Sequence, residues 1–399
     1  MSNSTHSLPR LGIRWTFTSF SGWGVFGVNL ARDLTGRRLA APVPIYTHDL
    51  LTEEIREDPL LAPALVAQRE MASHLAGSQP IHLDFPVLHG LGNRLAAGEL
   101  SARVFGAPDI GMVFLEDTRP GEAASLATRY RLLLAGSAWN GDVLRGFGID
   151  NVAVCPQGVD TALFRPQPRR GVFGNRFTIF SGGKLEFRKG QDIVIAAFRI
   201  FHARHPDALL VTAWASPFPE AAADLEHSPH RTGAPSAADN PEAVSCWLAQ
   251  NGIPLDSMAL LPAVSNETMA PWLSEVDAAV FVSRAEGGTN LAAMEALACG
   301  VPTILSANTG HRDLIASVPC ISLDRQAPVL PSPAAGGIDG WGESDPMAVV
   351  EALERIYARR EEARATGRDA AAAMAAWSWP RRIDAMLAAL AGIGAWPRP

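Results

Sequence analysis

The residues best suited to chemistry are Lys184 and Lys189, which lie five positions apart and are the only lysines in the chain. The other 32 basic residues are Arg. An apolar run precedes the lysines, Gly183 lies beside the first of them, and a helix is predicted to start after the second. Backbone N–H groups, the positive end of a helix and two ammonium groups together favour a bound diphosphate. The segment is not a Walker A loop, and the alternative interpretation is a glycine turn with two solvated lysines.

A second segment, residues 283–302, reads SRAEGGTNLAAMEALACGVP. The apolar run 278–282 before it is typical of a buried strand, and 291–299 is predicted to be a helix. Gly300 fits the position that follows a helix, and Pro302 prevents the helix from continuing. The segment therefore predicts a strand, a tight turn and a helix.

This second unit carries its own candidate ligand groups. The backbone N–H groups of Thr289, Asn290 and Leu291 are predicted to point outward from the helix start, where an anion binds. Glu295 lies one turn inside the helix, where its carboxylate can accept hydrogen bonds from a vicinal diol, and Glu286 lies on the turn. The alternatives are a Glu favoured by the helix dipole and a solvated loop carboxylate.

Composition excludes several classes of protein. The 399 residues are 47% hydrophobic and 19% charged, which excludes a disordered chain. The net charge of −7 falls entirely in residues 171–399. The chain has no block of basic residues, so we do not expect it to bind nucleic acid. Four scattered Cys form no CxxC pair, so no zinc site is expected. The polar start and the lack of a long apolar run predict a cytoplasmic protein, with peripheral contact at the inner membrane face left open.

Strand-like and helix-like segments alternate along the chain, which predicts two α/β domains with parallel, doubly wound sheets that face a cleft. The Pro- and Arg-rich run 164–174 is the predicted linker. We therefore expect an N-terminal domain over 1–170 and a second domain over 171–376, with a C-terminal helix over 377–399. A glycine-rich turn is predicted at 21–27, before a helix over 28–34.

The two motifs resemble the signature of the family 4 retaining glycosyltransferases, which have the GT-B fold. That family has a G-R-L-like strand end followed by K-G, and here 183–190 reads GKLEFRKG, with Lys184 in the Arg position. Its second hallmark, E-G-x-G-x-x-x-x-E-A-x-A-x-G-x-P, is similar to EGGTNLAAMEALACGVP. Glu286 and Glu295 are separated by eight residues where the family usually has seven.

The resemblance extends over about residues 10–392. Residues 155–166 (CPQGVDTALFRP) resemble the family's P-N-G-V-D-x-x-x-F-x-P segment, and WSWP at 377–380 resembles the F-S-W before a last helix that crosses back to the first domain. The glycine turn with Gly22 and Gly24 matches the first-strand loop near the donor phosphates. A His usual after the fourth strand of the first domain is absent at that position.

The resemblance implies a metal-independent enzyme that moves a sugar from a UDP- or GDP-sugar to a hydroxyl of a glycan, lipid-linked glycan or small molecule. Lys184 and Lys189 would neutralise the donor diphosphate with help from Gly183 and the backbone at 289–291. Glu295 would bind the ribose and Glu286 the transferred sugar. No bound cofactor is implied, because the nucleotide sugar is a co-substrate.

Four further residues are candidates for contact with the sugar or the acceptor. They are Trp23 in the first glycine turn, His89 at a predicted strand end, and Glu116 and Asp117 after the next strand. Each has an ordinary structural alternative: a packed aromatic, a satisfied His, or carboxylates that cap a loop.

Two other functions compete with transfer. A catalytically degenerate GT-B protein would bind a nucleotide sugar without turnover, and the longer Glu spacing and the absent His favour it. A nucleotide-sugar 2-epimerase would lack this pairing of lysines with glutamates. An NAD-dependent enzyme is disfavoured, because neither glycine turn presents GxGxxG with a downstream acidic residue.

Overall fold

A computed structural model describes residues 8–214, 222–230, 232–262, 264–330 and 337–397 of the chain. Its described residues fall into two compact units. The first comprises the chain up to Leu115, then Pro120–Gly158 and the residues from Ser378 onward, and the second comprises Glu116–Arg119 and Val159–Trp377. The division lies at 158/159 rather than 170/171 because Val159 and Phe164 are already buried in the core of the second unit.

The first unit contains one main sheet of six parallel strands in the order β2-β1-β4-β6-β7-β8, and a small parallel pair, β3 with β5. Its strands are β1 Arg10–Arg14, β2 Ala41–Pro44, β3 Ile81–His82, β4 Val87–Leu91, β5 Val104–Phe105, β6 Asp109–Val113, β7 Leu132–Ala135 and β8 Val152–Val154. Its helices are α1 Gly22–Gly36, α2 Glu53–Arg56, α3 Ala62–Leu75, α4 Glu99–Arg103, α5 Ala123–Ala127 and α6 Ala138–Gly146, with the C-terminal helix Trp379–Gly392. That last helix returns to the first unit, where Trp379 stacks on Phe26 of α1 with ring centroids 5.2 Å apart.

The predicted glycine turn at 21–27 is wrong, because this stretch forms the first turns of α1. Ser21 caps the helix by accepting a hydrogen bond from the Gly24 N–H. A Cβ on Gly24 would lie 2.1 Å from the Thr18 side chain, so a glycine here allows the helix to pack against the segment after β1. The glycines therefore serve close packing rather than a turn.

The second unit has six parallel strands in the order β11-β10-β9-β12-β13-β14 and a small antiparallel pair, β15 with β16. Its strands are β9 Phe177–Gly183, β10 Ala208–Trp214, β11 Met258–Leu260, β12 Ala278–Phe281, β13 Thr303–Ser306, β14 Ile321–Leu323, β15 Gln326–Ala327 and β16 Glu343–Ser344. Its α-helices are α7 Gln191–Arg204, α8 Pro241–Gln250, α9 Asn266–Leu273, α10 Leu291–Ala298, α11 His311–Ile315, α12 Pro346–Ala358 and α13 Arg360–Met374, and the C-terminal helix of the first unit is α14.

Helices cover both faces of this second sheet, which is why its strands read as continuous apolar runs. All four residues of β12 are buried. Helices α12 and α13 follow each other directly and are divided at Arg359, whose φ of −129° and ψ of 53° are not helical. The predicted α/β class with two doubly wound sheets is confirmed. In the part of the chain that the structure describes, no helix combines the length and apolar character needed to cross a membrane.

Candidate functional site

The strand order of the second unit reverses between β9 and β12, which are neighbours in the sheet. Ligands of doubly wound sheets bind where the strand order reverses, outside the carboxyl ends of the strands. The chain leaves β9 at Gly183 and β12 at Phe281, so both sequence motifs begin at this point. The fold therefore places residues 184–190 and 283–290 side by side.

The loop after β9 is shaped by its contact with the end of β12. A short helical turn, Phe187–Lys189, leads to Gly190, whose φ of +71° is left-handed. A Cβ on Gly190 would lie 2.2 Å from the Val282 carbonyl oxygen. Glycine is therefore required here, both for its conformation and for the close approach, and helix α7 starts directly after it.

Lys189 and Glu286 form a buried ion pair at the centre of the site. The Lys189 Nζ lies 2.9 Å from Glu286 Oε1 and 2.8 Å from Oε2. Arg188 Nη1 donates to the same carboxylate at 3.1 Å. Burial favours the neutral acid, but the charges of Lys189 and Arg188 outweigh it and hold the pKa of Glu286 at about 2. Glu286 is therefore ionised across the physiological range.

The other contacts of Glu286 come from polar groups around helix α10. The Ser283 hydroxyl donates to Oε1 at 2.6 Å, and the Asn290 amide donates to the same oxygen at 2.9 Å. Asn290 also caps α10, accepting from the Ala293 N–H, and adopts a positive φ of 62°. Glu286 thus accepts hydrogen bonds from four side chains and is fully satisfied.

His311 forms a hydrogen bond with the Asn290 amide. Its Nδ1 donates to the Ser306 carbonyl at 3.2 Å, which leaves Nε2 to accept from Asn290 Nδ2 at 3.2 Å. Burial lowers the pKa of His311 to about 4, so the ring is neutral and can accept this bond. The His therefore fixes the orientation of an amide that in turn orients Glu286.

Glu295 occupies a different environment on α10. Its side chain is 5% exposed and accepts a hydrogen bond from the Asn266 amide. Burial raises the pKa of Glu295 to about 8, an effect that the Asn266 bond only partly offsets. Two glutamates on the same strand–turn–helix unit therefore differ in charge near neutral pH, because one has cations beside it and the other has an amide.

Arg188 gathers further carboxylates. Its Nη2 lies 2.7 Å from both Glu116 Oε1 and Glu186 Oε2, and Lys184 Nζ lies 3.4 Å from Glu186. Burial raises the pKa of Glu116. For Glu186, burial acts in the same direction, but Arg188 and Lys184 lower its pKa overall. Three cations thus face three carboxylates, counting Lys189 and Glu286.

The structure assigns ordinary packing roles to some of the candidates from the first unit. His89 lies inside β4, is fully buried and pairs with Asp109 at 2.8 Å, so the expectation that it ends a strand and reaches a sugar is wrong. Trp23 is half-buried and packs against Trp15 and Phe114, with ring centroids 5.3 and 4.8 Å away. The Gly24 N–H is used by the Ser21 cap, which leaves exposed Gly22 as the candidate at the helix start.

The remaining candidates group with the second unit. Arg119 donates to both carboxylate oxygens of Asp117, from Nε to Oδ1 at 3.0 Å and from Nη2 to Oδ2 at 2.6 Å, so this carboxylate orders its own loop. Thr289 is buried, and its hydroxyl contacts the sulfur of Met294 at 3.0 Å. At the start of α10 the Ala293 N–H is used by the Asn290 cap, whereas the N–H groups of Leu291 and Ala292 precede the first bond within the helix. They remain candidate phosphate ligands.

Sequence reasoning missed three residues of this site: Arg188, His311 and Asn266. Arg188 stands beside Lys189 in the first motif, and its position alone could have identified it. The abundance of Arg in the chain made it look ordinary. His311 and Asn266 lie outside both motifs, and nothing in the local sequence marks them.

Among the residues that the structure describes, one group has the spacing of a metal site: Asp192, His230 and Glu343. The guanidinium of Arg284 already bridges the two carboxylates, at 2.6 Å from Asp192 Oδ2 and 2.9 Å from Glu343 Oε1. A fixed positive charge between the carboxylates disfavours a cation there. This donor set fits an arginine and not a metal.

Comparisons with known proteins agree with this geometry. Residues 166–318 match the family described as Glycosyl transferases group 1. The chain is 28% identical to D-inositol 3-phosphate glycosyltransferase of Geodermatophilus obscurus over 275 residues, which are 67% of this chain and 54% of that protein. It is 26% identical to the protein of the same name from Xylanimonas cellulosilytica over 260 residues, 62% and 53% of the two chains. The chain thus spans about half the length of the curated relatives it matches.

Solved structures with the same fold cover nearly the whole chain. Sucrose-phosphate synthase from Thermosynechococcus elongatus superposes with a TM-score of 0.64 at 14% identity, covering 97% of this chain and 99% of that one. HepE from Anabaena, in complex with UDP and glucose, superposes with a TM-score of 0.63 at 13% identity, covering 96% and 100%. The two-unit architecture described above is therefore the GT-B fold.

Proposed function

We propose that the chain is a retaining glycosyltransferase, because residues 166–318 match the family described as Glycosyl transferases group 1 and the fold is GT-B. It moves a sugar from a nucleoside-diphosphate sugar to a hydroxyl acceptor. The observation that carries this proposal is the cluster of Arg188, Lys189 and Glu286 at the carboxyl ends of β9 and β12, beside the N-terminus of α10. Such a cluster can stabilise the charge that develops on a leaving diphosphate.

Partner exchange by Lys189 explains how the site receives its donor. Lys189 pairs with Glu286, whose lone pairs are all used in the structure. When a diphosphate arrives, the flexible ammonium turns to it, and a carboxylate oxygen of Glu286 becomes available to a sugar hydroxyl. Donor binding and sugar positioning are thereby coupled through one lysine. The leaving phosphate then takes the proton of the acceptor hydroxyl as the glycosidic bond forms on the same face.

Glu295 is the proposed ribose ligand. Its place inside the first turns of α10 puts a carboxylate beside the N–H groups that bind the phosphates. An ionised Glu accepts hydrogen bonds from both hydroxyls of a ribose, whereas the neutral acid accepts less well. The raised pKa of Glu295, about 8, therefore predicts donor binding that strengthens with pH.

Cationic side chains, rather than a divalent ion, neutralise the diphosphate in this proposal. Lys189 and Arg188 are both within hydrogen-bond distance of Glu286, and Lys184 is half exposed at the mouth of the same loop. Ammonium and guanidinium groups perform the electrostatic task that a metal performs in other transferases. We propose that Lys184 contacts the outer phosphate.

The comparisons suggest which donor and acceptor to test first. The HepE structure contains UDP and glucose, which supports UDP-glucose as the first donor. The relatives named D-inositol 3-phosphate glycosyltransferase support that inositol phosphate as the first acceptor. A screen of UDP-, GDP- and ADP-sugars for donor hydrolysis, which needs no acceptor, then defines the donor independently.

The test compares Lys189→Ala and Glu295→Ala with the wild type. Both variants are expected to lose sugar transfer while keeping their cooperative unfolding transition, and NMR of the wild-type product should show the donor's anomeric configuration. Arg204→Ala is the matched control, because Arg204 ends the same helix α7 and forms an exposed ion pair with Glu354. Full activity in Lys189→Ala or Glu295→Ala would overturn the assignment of residues, and an inverted product would overturn retention.

One observation favours a second candidate, a degenerate GT-B protein that binds a nucleotide sugar without turnover. The oxygens of Glu286 are already saturated by four side chains, so a sugar must break an existing contact to reach them. Calorimetry with UDP, GDP and ADP, followed by the hydrolysis screen, separates the two candidates. Binding without hydrolysis or transfer across the screen would favour the degenerate protein.

A further inference from the structure

Arg284 is the largest fully buried side chain of the described residues, and it lies two positions before Glu286. Its guanidinium has five N–H groups, and each has an acceptor. Nη1 donates to the Phe187 carbonyl at 2.5 Å and to Asp192 Oδ1 at 2.9 Å, and Nη2 donates to Asp192 Oδ2 at 2.6 Å and Glu343 Oε1 at 2.9 Å. Nε donates to the other oxygen of Glu343.

These bonds join three separate segments. The Arg284 N–H donates to the Arg188 carbonyl at 2.7 Å, and its carbonyl accepts from the Gly342 N–H at 2.9 Å. The guanidinium carbon also lies 3.8 Å from the centre of the Phe187 ring. One residue therefore holds the loop after β9, the loop after β12 and the segment that contains β16.

The cations of the site lie between the points that Arg284 fixes. The Arg284 guanidinium bonds both Phe187 and Asp192, and Arg188 and Lys189 lie between these two residues in the chain. Glu286 follows Arg284 by two residues, and its N–H is held separately by the Thr309 hydroxyl at 2.7 Å. The distance between Lys189 and Glu286 is thus fixed by the Arg284 bonds to the loop of Lys189 and by the Thr309 bond to the Glu286 backbone.

We propose that Arg284 is a positioning residue for donor binding: it holds the loop that carries Arg188 and Lys189 against the Glu286 loop, without itself contacting the donor. The proposal rests on the proposed function of this site. A ligand site is precise only when the residues that support it are locked in place. An arginine is needed here because a lysine has three donors on one atom and cannot span Asp192, Glu343 and the Phe187 carbonyl together.

The test uses Arg284→Lys in the full chain, with Arg129→Lys as the matched control. Arg129 is a half-buried arginine of the first unit that likewise bonds a carboxylate, Asp109, and backbone carbonyls. Two measurements are made on each protein: the affinity for UDP and GDP by calorimetry, and hydrogen exchange of the backbone amides at 187–193. The affinity is also measured with Lys189→Ala alone and combined with Arg284→Lys.

We expect Arg284→Lys to weaken nucleoside-diphosphate binding by roughly 10- to 100-fold, the size of effect that misplacing a group by about 1 Å produces. Amide exchange at 187–193 should be faster, while Arg129→Lys changes neither measurement. In the combined variant, Lys189→Ala should cost less than it does alone, because the lysine is already displaced. These results would separate positioning from a general loss of stability.

Wild-type affinity and wild-type exchange in Arg284→Lys would overturn the proposal, as would strictly additive effects with Lys189→Ala. If Arg284→Lys does not fold, Glu343→Gln replaces it: that variant removes one arm of the clamp, keeps the Asp192 pair, and is expected to weaken binding by about 3- to 10-fold. If the wild type binds no nucleoside diphosphate, the proposed function fails, and the exchange measurement alone decides whether Arg284 orders the loop.

Discussion

Replacing Glu295 with Gln should make the protein more stable above neutral pH and, at the same time, a weaker binder of nucleotides. The two effects have one cause. A buried carboxylate without a cation beside it is costly to ionise, and the Asn266 amide offsets only part of that cost. A glutamine of the same shape never ionises, so it removes the cost together with the carboxylate that we propose binds the ribose.

The magnitude follows from the pKa. Burial moves the pKa of Glu295 from 4.5 to about 8, a difference of roughly 3.5 units, or about 5 kcal/mol at ~1.4 kcal/mol per unit. The folded protein holds the proton more tightly than the unfolded chain. The stabilisation by the protonated form is therefore complete below about pH 4.5 and is lost as the pH rises through about 8.

The assay is chemical denaturation of the wild type and Glu295→Gln at about pH 5, 7 and 9. We expect similar free energies of unfolding near pH 5 and an advantage for the variant that approaches several kcal/mol near pH 9. Other titrating groups cancel in the difference between the two proteins. A difference that does not change with pH would refute the reasoning, because it would mean that Glu295 is ionised in the folded protein without penalty.

Glu286→Gln is the control, because its effect on the free energy of unfolding should have the opposite sign to that of Glu295→Gln. The pKa of Glu286 lies at about 2, below the ordinary 4.5, because Lys189 and Arg188 outweigh burial. Its ionised form stabilises the fold above about pH 4.5, and this contribution is lost as the pH falls towards 2. The shift corresponds to about 3 kcal/mol at neutral pH. Glu286→Gln should thus be the less stable variant at pH 7, with a deficit that shrinks in acid.

Binding measurements complete the test of Glu295. The affinity of the wild type for UDP should increase as the pH rises from about 6 to 9, because Glu295 ionises over this range. The affinity of Glu295→Gln should not show this increase. Inorganic pyrophosphate, which has no ribose, should bind both proteins equally. A loss of pyrophosphate affinity in Glu295→Gln would mean that this residue acts on the phosphates and not on the ribose.

Three further predictions test other parts of the site. Lys184→Arg and Lys189→Arg should each lower transfer activity, measured as kcat/KM, because a planar guanidinium differs from an ammonium in reach and hydration; a fully active double variant would show that the scarcity of Lys is coincidental. Saturating chelator should leave the initial transfer rate unchanged, and restoration of a lost rate by a divalent ion would contradict charge neutralisation by side chains. Gly190→Ala should destabilise the protein by about 1–3 kcal/mol in denaturation, since both its φ of +71° and its contact with the Val282 carbonyl exclude a Cβ; wild-type stability would mean that the loop rearranges at no cost.

The fold was predictable from the sequence because parallel sheets leave a strong pattern. Strands buried on both faces read as short apolar runs, and the helices between them read as amphipathic. That pattern also placed Lys189 and Glu286 at the ends of β9 and β12, the two strands at which the order reverses. Strand β2, with the sequence APVP, was not predicted, because proline is disfavoured in strands and is tolerated mainly at the edge of a sheet.

The features that sequence could not give depend on packing between distant segments. Gly22 and Gly24 look like a turn, and only the contact of Gly24 with Thr18 shows that glycine is needed inside a helix. His89 has the same sequence context whether it faces a ligand or a core, and its pairing with Asp109 decides the matter. Such choices are made by tertiary contacts: Thr18 lies six residues before Gly24, and Asp109 lies 20 residues after His89.

The departure from the family spacing has a local explanation of the same kind. Counting back from Glu295, Asn290 stands where the motif has its second glycine, so the extra residue lies between Glu286 and Asn290. The position needs a positive φ, which Asn tolerates better than most residues. Asn290 also contributes what glycine cannot, a cap on α10 and a bond to Glu286. The turn is therefore one residue longer than in the family motif, and Asn290 keeps both the start of α10 and Glu286 in place within it.

The scarcity of lysine acquires a physical meaning from the neighbouring arginine. Arg188 uses a planar fork to hold Glu116, Glu186 and Glu286 at once, and such a bridge is rigid. Among the described residues, Lys189 forms its ion pair with Glu286 alone, through a single atom on a flexible stem, and in the proposed function it leaves Glu286 for a diphosphate. An arginine at 189 would add a second fork to carboxylates that are already bridged and would resist that exchange. Under the proposed partner exchange, a chain that uses arginine almost everywhere has a reason to keep lysine at the position where a cation changes partners.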